Sequence, residues 1–379
     1  MRIGIFGGSF DPVHKEHTNF VRTAVENLRL DKVFVMPAHI PPHKLGKTLS
    51  SNVDRLQMCK IAFLDIEQAE VSDYEMTQDR PSYTYLTCAH FKNKYPEAEL
   101  FFLVGTDMLR DFPTWKEPEK ILENATLAVC GRCEEDGWWE AEQKEFIEKF
   151  GKPFIRVDYN GAKVSSTQIR VLAGAGMRLT DFLDEKTAEY IEKKGLYQIK
   201  NADKALALEK PQRQAHSLRV AYLAAKRALS LGIPERKAIQ AALFHDCGKN
   251  ISSNHPFLQG FSLPNEHEVP ASVWHQYVGA YLAENIFGVQ DEEVLNAIRY
   301  HTSGRPDMGE LEKLIFLADM LEEERKYEGV EELRFLFWKD KNSLDECLEE
   351  ALYQTLEFLK QKKADIYPLT QKAYEFYKK

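Results

Sequence analysis

Near residue 203 this 379-residue chain changes its hydrophobic rhythm, and no other feature constrains its fold as much. Before the break, RIGIFGG, KVFVMPA, AELFFLVG, ATLAVCG and PFIRVDY read as buried strands, separated by amphipathic stretches such as HTNFVRTAVENLRL and SYTYLTCAHFKNKYP. Apolar strands alternating with helices build a parallel sheet covered on both faces. After the break the strand signal vanishes. QRQAHSLRVAYLAAKRALSLG, ERKAIQAALFHDCG, SVWHQYVGAYLAENIFG, EEVLNAIRYHTSG, ELEKLIFLADMLEEER and LDECLEEALYQTLEFLKQ follow as helices, several closing on glycine as helix C-termini do. The length also exceeds one average core. We therefore expect two domains, an α/β domain with a parallel sheet over residues 1–200 and an all-α domain over 201–379, joined near GLYQIKNADKA.

A formal net charge of -9 argues against a nucleic-acid partner and leaves small anions as the expected ligands. No apolar run approaches the roughly 18 residues that a membrane span needs, and MRIGIFGGSF lacks the regions of a signal peptide, so a cytoplasmic location is expected. The six cysteines are too scattered for a disulfide framework. Cys130 and Cys133 form a lone CxxC with no second pair, which reads as reduced, structural thiols.

The first polar constellation is RIGIFGGSFDPVHKEH. A buried strand enters a small-residue turn at Gly7, Gly8 and Ser9, then a helix beginning near His14. Such a turn lets backbone amides approach phosphates, and His14 and His17, three apart, share one face beside it. The run resembles the GxFxPxHxGH signature of nucleotidyltransferases at Gly8, Phe10, Pro12, His14 and His17, with Glu16 in place of the usual glycine. VSSTQIR resembles the ISSTxIR motif of the same superfamily: Ser165, Ser166 and Thr167 offer hydroxyls and a helix cap, and Arg170 a phosphate-binding fork. Through PAHIPPHK, Arg55, RPSYTYLT, VGTDML and PTWKEPEKIL the likeness extends to bacterial nicotinate-nucleotide adenylyltransferase over nearly all of residues 1–200.

That resemblance implies a Rossmann-like nucleotidyltransferase fold. It places Tyr83 and Thr84 near the nicotinate, Trp115 stacked on its ring, and Gly105 and Asp107 by the ATP site. The implied reaction is in-line attack of the nicotinate mononucleotide phosphate on the α-phosphorus of ATP, expelling pyrophosphate, with Mg²⁺ bridging the phosphates. Such transfers rest on positioning and charge neutralisation, for which His14, His17, Lys44 and Arg170 are the candidates. A pantetheine-phosphate type of transferase is the rival, but it lacks the PPHK, SYT and PTW segments.

The helical half carries His216, His245, His275 and His301 within otherwise apolar patterns, together with Asp246 and Asp319. The order H…HD…H…H…D resembles the HD-domain metal-dependent phosphohydrolases. Adjacent helical residues point about 100° apart, so His245 and Asp246 serve one metal only near a helix end, or two if the carboxylate bridges. We assign His216, His245, Asp246 and Asp319 to one metal and Asp246, His275 and His301 to a second. Ligation by nitrogen and oxygen, rich in imidazole, points to iron or manganese. Asp246 and Lys249 are the catalytic candidates, with Lys249 and Arg305 close enough in sequence to neutralise phosphates. Within this family IRYHTSGRPDM and EKLIFLADMLEEERKYEGVEELR look most like bacterial symmetrical bis(5′-nucleosyl)-tetraphosphatases, which split diadenosine tetraphosphate into two ADP. The segment EEER stands where an EPNR-like turn is expected, with Arg325 in place for phosphate. The alternatives are another nucleotide phosphohydrolase and a noncatalytic nucleotide sensor.

Overall fold

The computed structural model describes residues 1–40, 49–131, 137–264, 269–340 and 342–378, so Lys44, Cys133 and His267 lie outside the described residues. The chain divides into two compact units. One takes the described residues of Met1–Leu45, Leu49–Ile169 and Leu179–Leu196, and the other takes Arg170–Arg178 and those of Tyr197–Lys379.

In the first unit the order is β1 (Arg2–Gly8), α1 (Lys15–Leu28), β2 (Lys32–Pro37), α2 (Asn52–Ala62), β3 (Ala69–Val71), α3 (Thr84–Lys94), β4 (Glu99–Gly105), α4 (Thr106–Asp111), α5 (Pro118–Asn124), β5 (Thr126–Gly131), α6 (Trp138–Phe150) and β6 (Ile155–Asp158). Helix α7 (Ser166–Gly174) begins in this unit and continues into the other, and α8 (Glu185–Lys194) completes the first. The strands lie in the order β3-β2-β1-β4-β5-β6 and every pair is parallel. The five apolar runs are β1, β2, β4, β5 and β6. The sixth strand, β3, is only AEV and carries no apolar run.

Both faces of the sheet are covered, which is why its strands are apolar at nearly every position. Ile3, Ile5, Phe34, Phe102 and Val129 pack with Phe91 of α3, Ile121 of α5 and Trp139 of α6. On the opposite face Phe6 stacks on Phe20 of α1 at 4.7 Å. The strand order reverses direction between β1 and β4, so a crevice opens at their carboxyl ends, the usual ligand position of such sheets.

The second unit holds α9 (Ala202–Leu206), α10 (Pro211–Ala228), α11 (Glu235–Phe244), α12 (Trp274–Asn285), α13 (Glu292–Tyr300), α14 (Glu310–Leu321), α15 (Val330–Lys339), α16 (Asp345–Gln361) and α17 (Pro368–Tyr377). Its core is rich in small residues: Ala221, Ala224, Ala225 and Ala228 of α10 pack with Ala238, Ala241 and Ala242 of α11. Short side chains let these helices pack closely. Val171 and Ala175 join this core with Ile199, which ties the end of α7 to the helical unit. None of the described helices is long and apolar enough to cross a membrane.

Candidate functional site

A cavity of about 1150 Å³ lies at the carboxyl ends of β1 and β4, and its lining includes Gly7, Gly8, Ser9, Phe10, His14 and His17 together with Tyr83, Thr84, Gly105, Asp107 and Trp115. His14 is the N-cap of α1, extended in backbone, and the His14 and His17 rings stack at 3.7 Å. The His14 backbone N–H donates to His17 Nδ1 at 3.1 Å, which leaves Nε2 as the proton-bearing nitrogen of a neutral His17 ring. Burial lowers His14 to about 4, and its Nδ1 is sealed with no hydrogen-bond partner. A phosphate beside the ring would favour its protonated form.

Arg55 holds this turn in place. The residue is 1% exposed, and its guanidinium donates to the carbonyls of Ser9 (2.9 Å), Ala38 (2.6 Å), Ser50 (3.1 Å) and His39 (3.4 Å) and to Asn52 Oδ1 (2.7 Å). One buried cation thus ties α2 to the ends of β1 and β2.

The downstream motif sits differently. Ser165 Oγ accepts from the Gln168 N–H and caps α7, while Ser166 Oγ donates to the Pro12 carbonyl. Ser165, Ser166, Thr167 and Arg170 are not among the residues lining the cavity. The Arg170 fork instead meets Glu235, with Nε at 2.5 Å and Nη2 at 3.0 Å from its two oxygens. A phosphate on Arg170 would compete with that carboxylate.

In the helical unit six residues from five helices converge. His216 lies within α10, His245 is the C-cap of α11 with Asp246 next, His275 is in the first turn of α12, His301 caps α13, and Asp319 is in the last turn of α14. Gly248 allows the approach: a Cβ there would stand 2.5 Å from the His275 carbonyl. Nitrogen and oxygen atoms of three overlapping triads lie within 4.8 Å of one another: His216, His245 and Asp246; His245, His301 and Asp319; and Asp246, His275 and His301. Asp246 sits between the sets, with Oδ2 at 3.5 Å from His245 Nε2 and Oδ1 at 3.4 and 3.6 Å from the Nε2 atoms of His275 and His301.

Three rings are turned by outer contacts so that Nε2 faces the centre. His216 Nδ1 meets Glu322 Oε1 at 3.1 Å, and His245 and His301 Nδ1 meet the carbonyls of Ala242 (2.6 Å) and Ile298 (2.7 Å). Fixing one nitrogen in this way sets which nitrogen remains to bind a metal. His245 Nε2 and Asp246 Oδ1 are buried without a hydrogen-bond partner. Such orphaned atoms cost free energy unless something charged sits between them, so the donor set fits divalent metal.

Burial alone would raise the Asp246 and Asp319 carboxyls. His245, His301 and Lys249 around Asp246, and His216, His245 and Arg325 around Asp319, hold both well below the ordinary carboxylate range. Lys249 Nζ stands 3.0 Å from His275 Nε2 and 3.9 Å from Asp246 Oδ1, and Arg325 Nη2 is 2.6 Å from Asp319 Oδ1. Arg305 goes elsewhere: it pairs with Glu312 at 2.8 Å and lines a separate cavity with Tyr277, Tyr281 and Tyr300. Cys247 is fully buried, its thiol pushed well above the ordinary range by burial.

Two participants were not anticipated. Arg213 Nη1 is 2.9 Å from Asp246 Oδ2, and Glu322, 3% exposed, holds both His216 and Arg219. Each lies three residues from a ligand on the same helix or its cap, and that spacing is the signal that could have found them.

Burial lowers His245 to about 4 and His275 to about 2. Below the ordinary histidine pKa near 6.5 the unfolded chain therefore binds protons that the folded, metal-free chain does not, and stability rises with pH in that window. Thermal unfolding of chelator-treated protein is expected at a lower temperature at pH 5.5 than at pH 7.5, with a smaller difference in His275→Asn. An equal difference in that variant would remove His275 as a source of the effect.

Residues 5–172 match the cytidylyltransferase-like family and residues 213–324 the HD domain family. A Mycoplasma genitalium protein named "Probable nicotinate-nucleotide adenylyltransferase/Ap4A hydrolase" is 30% identical over 328 residues, 86% of this chain and 89% of its own. Proteins named "Probable nicotinate-nucleotide adenylyltransferase" from Clostridium tetani and Dictyoglomus thermophilum are 37% and 36% identical over 197 residues. They cover 51% and 52% of this chain and 97% and 100% of theirs. Matched across both halves by one relative, the chain belongs to the nicotinate-nucleotide adenylyltransferase family, in the form that joins a cytidylyltransferase-like domain to an HD domain.

Proposed function

We propose that the first domain transfers AMP from ATP to nicotinate mononucleotide, giving deamido-NAD and pyrophosphate. The observation that carries this is a single cavity holding both the Gly7–Ser9 turn with its paired histidines and the Tyr83, Thr84 and Trp115 group. The attacking phosphate oxygen bonds to the α-phosphorus of ATP as the bond to the β-phosphate oxygen breaks. His17 Nε2–H and the protonated form of His14 donate to the phosphate oxygens, where charge builds. Trp115, edge-on to Phe102 at 5.9 Å, offers a face to the pyridine ring. Mg²⁺ carried by ATP supplies further neutralisation. Lys44 and Arg170 complete the set by their motifs.

We propose further that the HD domain cleaves diadenosine tetraphosphate symmetrically into two ADP. His216, His245, Asp246 and Asp319 hold one metal and Asp246, His275 and His301 a second, iron or manganese by donor type. The placing of Asp246 between the two sets of histidines supports this reading. The metals would supply an activated water and a clamp on the attacked phosphate. Lys249, Arg213 and Arg325 border the ligands, where they can receive phosphate oxygens.

Chromatography of products tests both readings. With ATP, nicotinate mononucleotide and Mg²⁺ the full chain is expected to release deamido-NAD and pyrophosphate in equal amounts. Without oxygen and with Fe²⁺ or Mn²⁺, diadenosine tetraphosphate is expected to give ADP alone. ATP plus AMP would overturn the symmetrical register, and an intact substrate would return the helical domain to the other phosphohydrolases or to a sensor.

A further inference from the structure

Glu75 is a buried carboxylate with no lysine or arginine paired to it among the described residues. It belongs to one turn of 3₁₀ helix, Tyr74–Thr77, ahead of α3, and is 8% exposed. It borders the nucleotide cavity together with Ser82, Tyr83 and Thr84. Its partners are hydroxyls: Thr87 Oγ1 of α3 donates to Oε1 at 2.6 Å, and the Ser82 side chain donates to the carboxylate as well. Burial pushes the carboxyl up, and the two hydroxyls oppose that. A buried acid without a cation costs free energy that an apolar side chain of similar size does not. Packing does not call for it, since Tyr74 already docks the turn on α3, stacked on His90 at 3.8 Å. What Glu75 adds is a link to the first turn of that helix.

That first turn has little else to hold it. Tyr83, the N-cap of α3, brings no side-chain cap, and a helix start without one is prone to fray. The turn is fixed from outside instead, through Ser82. The Ser82 N–H donates to the Ile40 carbonyl at 3.0 Å, and Ser82 Oγ accepts from the His39 N–H at 2.9 Å. The same His39 offers its carbonyl to Arg55, which also holds the carbonyl of Ser9. Two networks thus meet at the segment after β2: Arg55 anchors the Ser9 turn, and Glu75 anchors the start of α3. Thr87, 2% exposed, is not among the residues that line the cavity, so it reaches a bound nucleotide only through its neighbours.

We propose that Glu75 is a positioning residue for the acceptor nucleotide: by holding Ser82 and Thr87 it sets where Tyr83 and Thr84 stand. In the adenylyl-transfer reading, on which this inference rests, those two residues and Trp115 receive the pyridine nucleotide, whereas the phosphates of ATP go to the Gly7–Ser9 turn. A slack first turn of α3 therefore weakens the acceptor and spares ATP.

The test measures kcat and the KM values for nicotinate mononucleotide and ATP in the full-length wild type, Glu75→Gln, Thr87→Val and the double variant. Glu75→Gln keeps the shape and removes the charge, and Thr87→Val keeps the shape and removes the hydroxyl. KM for nicotinate mononucleotide is expected to rise by roughly 10-fold in each single variant while KM for ATP stays within about two-fold, because orientation is lost at one substrate alone. The double variant should be no worse than the poorer single one, since both changes break the same bond. Thermal unfolding midpoints should stay near that of wild type.

An unchanged acceptor KM in both single variants, equal rises for the two substrates, or additive effects in the double variant each overturn the inference and leave adenylyl transfer standing. A lower KM for nicotinate mononucleotide in Glu75→Gln overturns it too, because the carboxylate would then be repelling that anion directly. Single variants that fail to fold would give the network to stability alone. If wild type makes no deamido-NAD from ATP and nicotinate mononucleotide, the adenylyl-transfer reading falls and the inference with it.

Discussion

Asp246→Ala is expected to lose metal binding and diadenosine tetraphosphate cleavage together, with cleavage falling by more than about 10³-fold, the scale of deleting a residue that organises charge at a reacting phosphate. Its two oxygens reach both ends of the cluster. Its oxygens lie within 3.6 Å of His245, His275 and His301, and Arg213 adds a 2.9 Å contact. Without the carboxylate the two sets of ligands share no atom. Arg213 and Lys249 then face the histidines with one anion fewer to balance them, which disfavours a further cation. Metal content by elemental analysis should drop from two ions per chain to one or none, and Asp246→Asn should behave almost alike because it keeps the shape but not the charge. Far-ultraviolet circular dichroism and thermal unfolding of the same preparation report whether the helical domain has folded. Two ions per chain in Asp246→Ala would sink the shared-ligand assignment.

The hydrophobic rhythm made the two-part architecture legible, because buried parallel strands and helical stripes leave different periods in a sequence. Five strands stand out as apolar runs, but β3 does not. It is three residues long, and its Glu70 faces Lys32 across the strand edge at 2.6 Å. Helix α2 is equally hard to read, since one of its buried residues is Arg55, and a charged residue in a helix reads as solvated. The grouping of Arg170–Arg178 with the helical unit comes from Val171 and Ala175 meeting Ile199 and the α10 and α11 core, a long-range contact with no local signature.

The six residues that cluster were readable because imidazoles and carboxylates stand out against alanine and leucine. Their supports were not: Glu322 and Arg213 resemble any exposed helix charge until the fold buries or pairs them. Arg305 shows the opposite limit. It is four residues from His301, but Gly304, in the left-handed region at φ 64°, lies between them, and Glu312 takes the guanidinium. Nearness in sequence does not carry over once a turn intervenes.

Arg55→Met is expected to destabilise the first domain by about 3–5 kcal/mol, at the upper end of single substitutions, because it breaks a buried hydrogen-bond network rather than one contact. Methionine fills much of the volume but donates nothing. The carbonyls of Ser9, Ala38 and Ser50 then lose the donor that meets them at 2.6 to 3.1 Å, and where they stay buried the desolvation cost is not recovered. Arg55→Lys keeps the charge, yet a single ammonium cannot span acceptors spread over three segments as the planar fork does. It should recover less than half of the loss in urea denaturation. Activity should fall further than stability predicts, by roughly 10²-fold in kcat/KM for adenylyl transfer under conditions where the variant is folded, since the Ser9 carbonyl anchors the turn whose amides would face the phosphates in the proposed reaction, and misplacement by about 1 Å costs that much. A folded Arg55→Met chain with wild-type kcat/KM would mean that the turn holds its shape without the guanidinium, and that Arg55 serves folding alone.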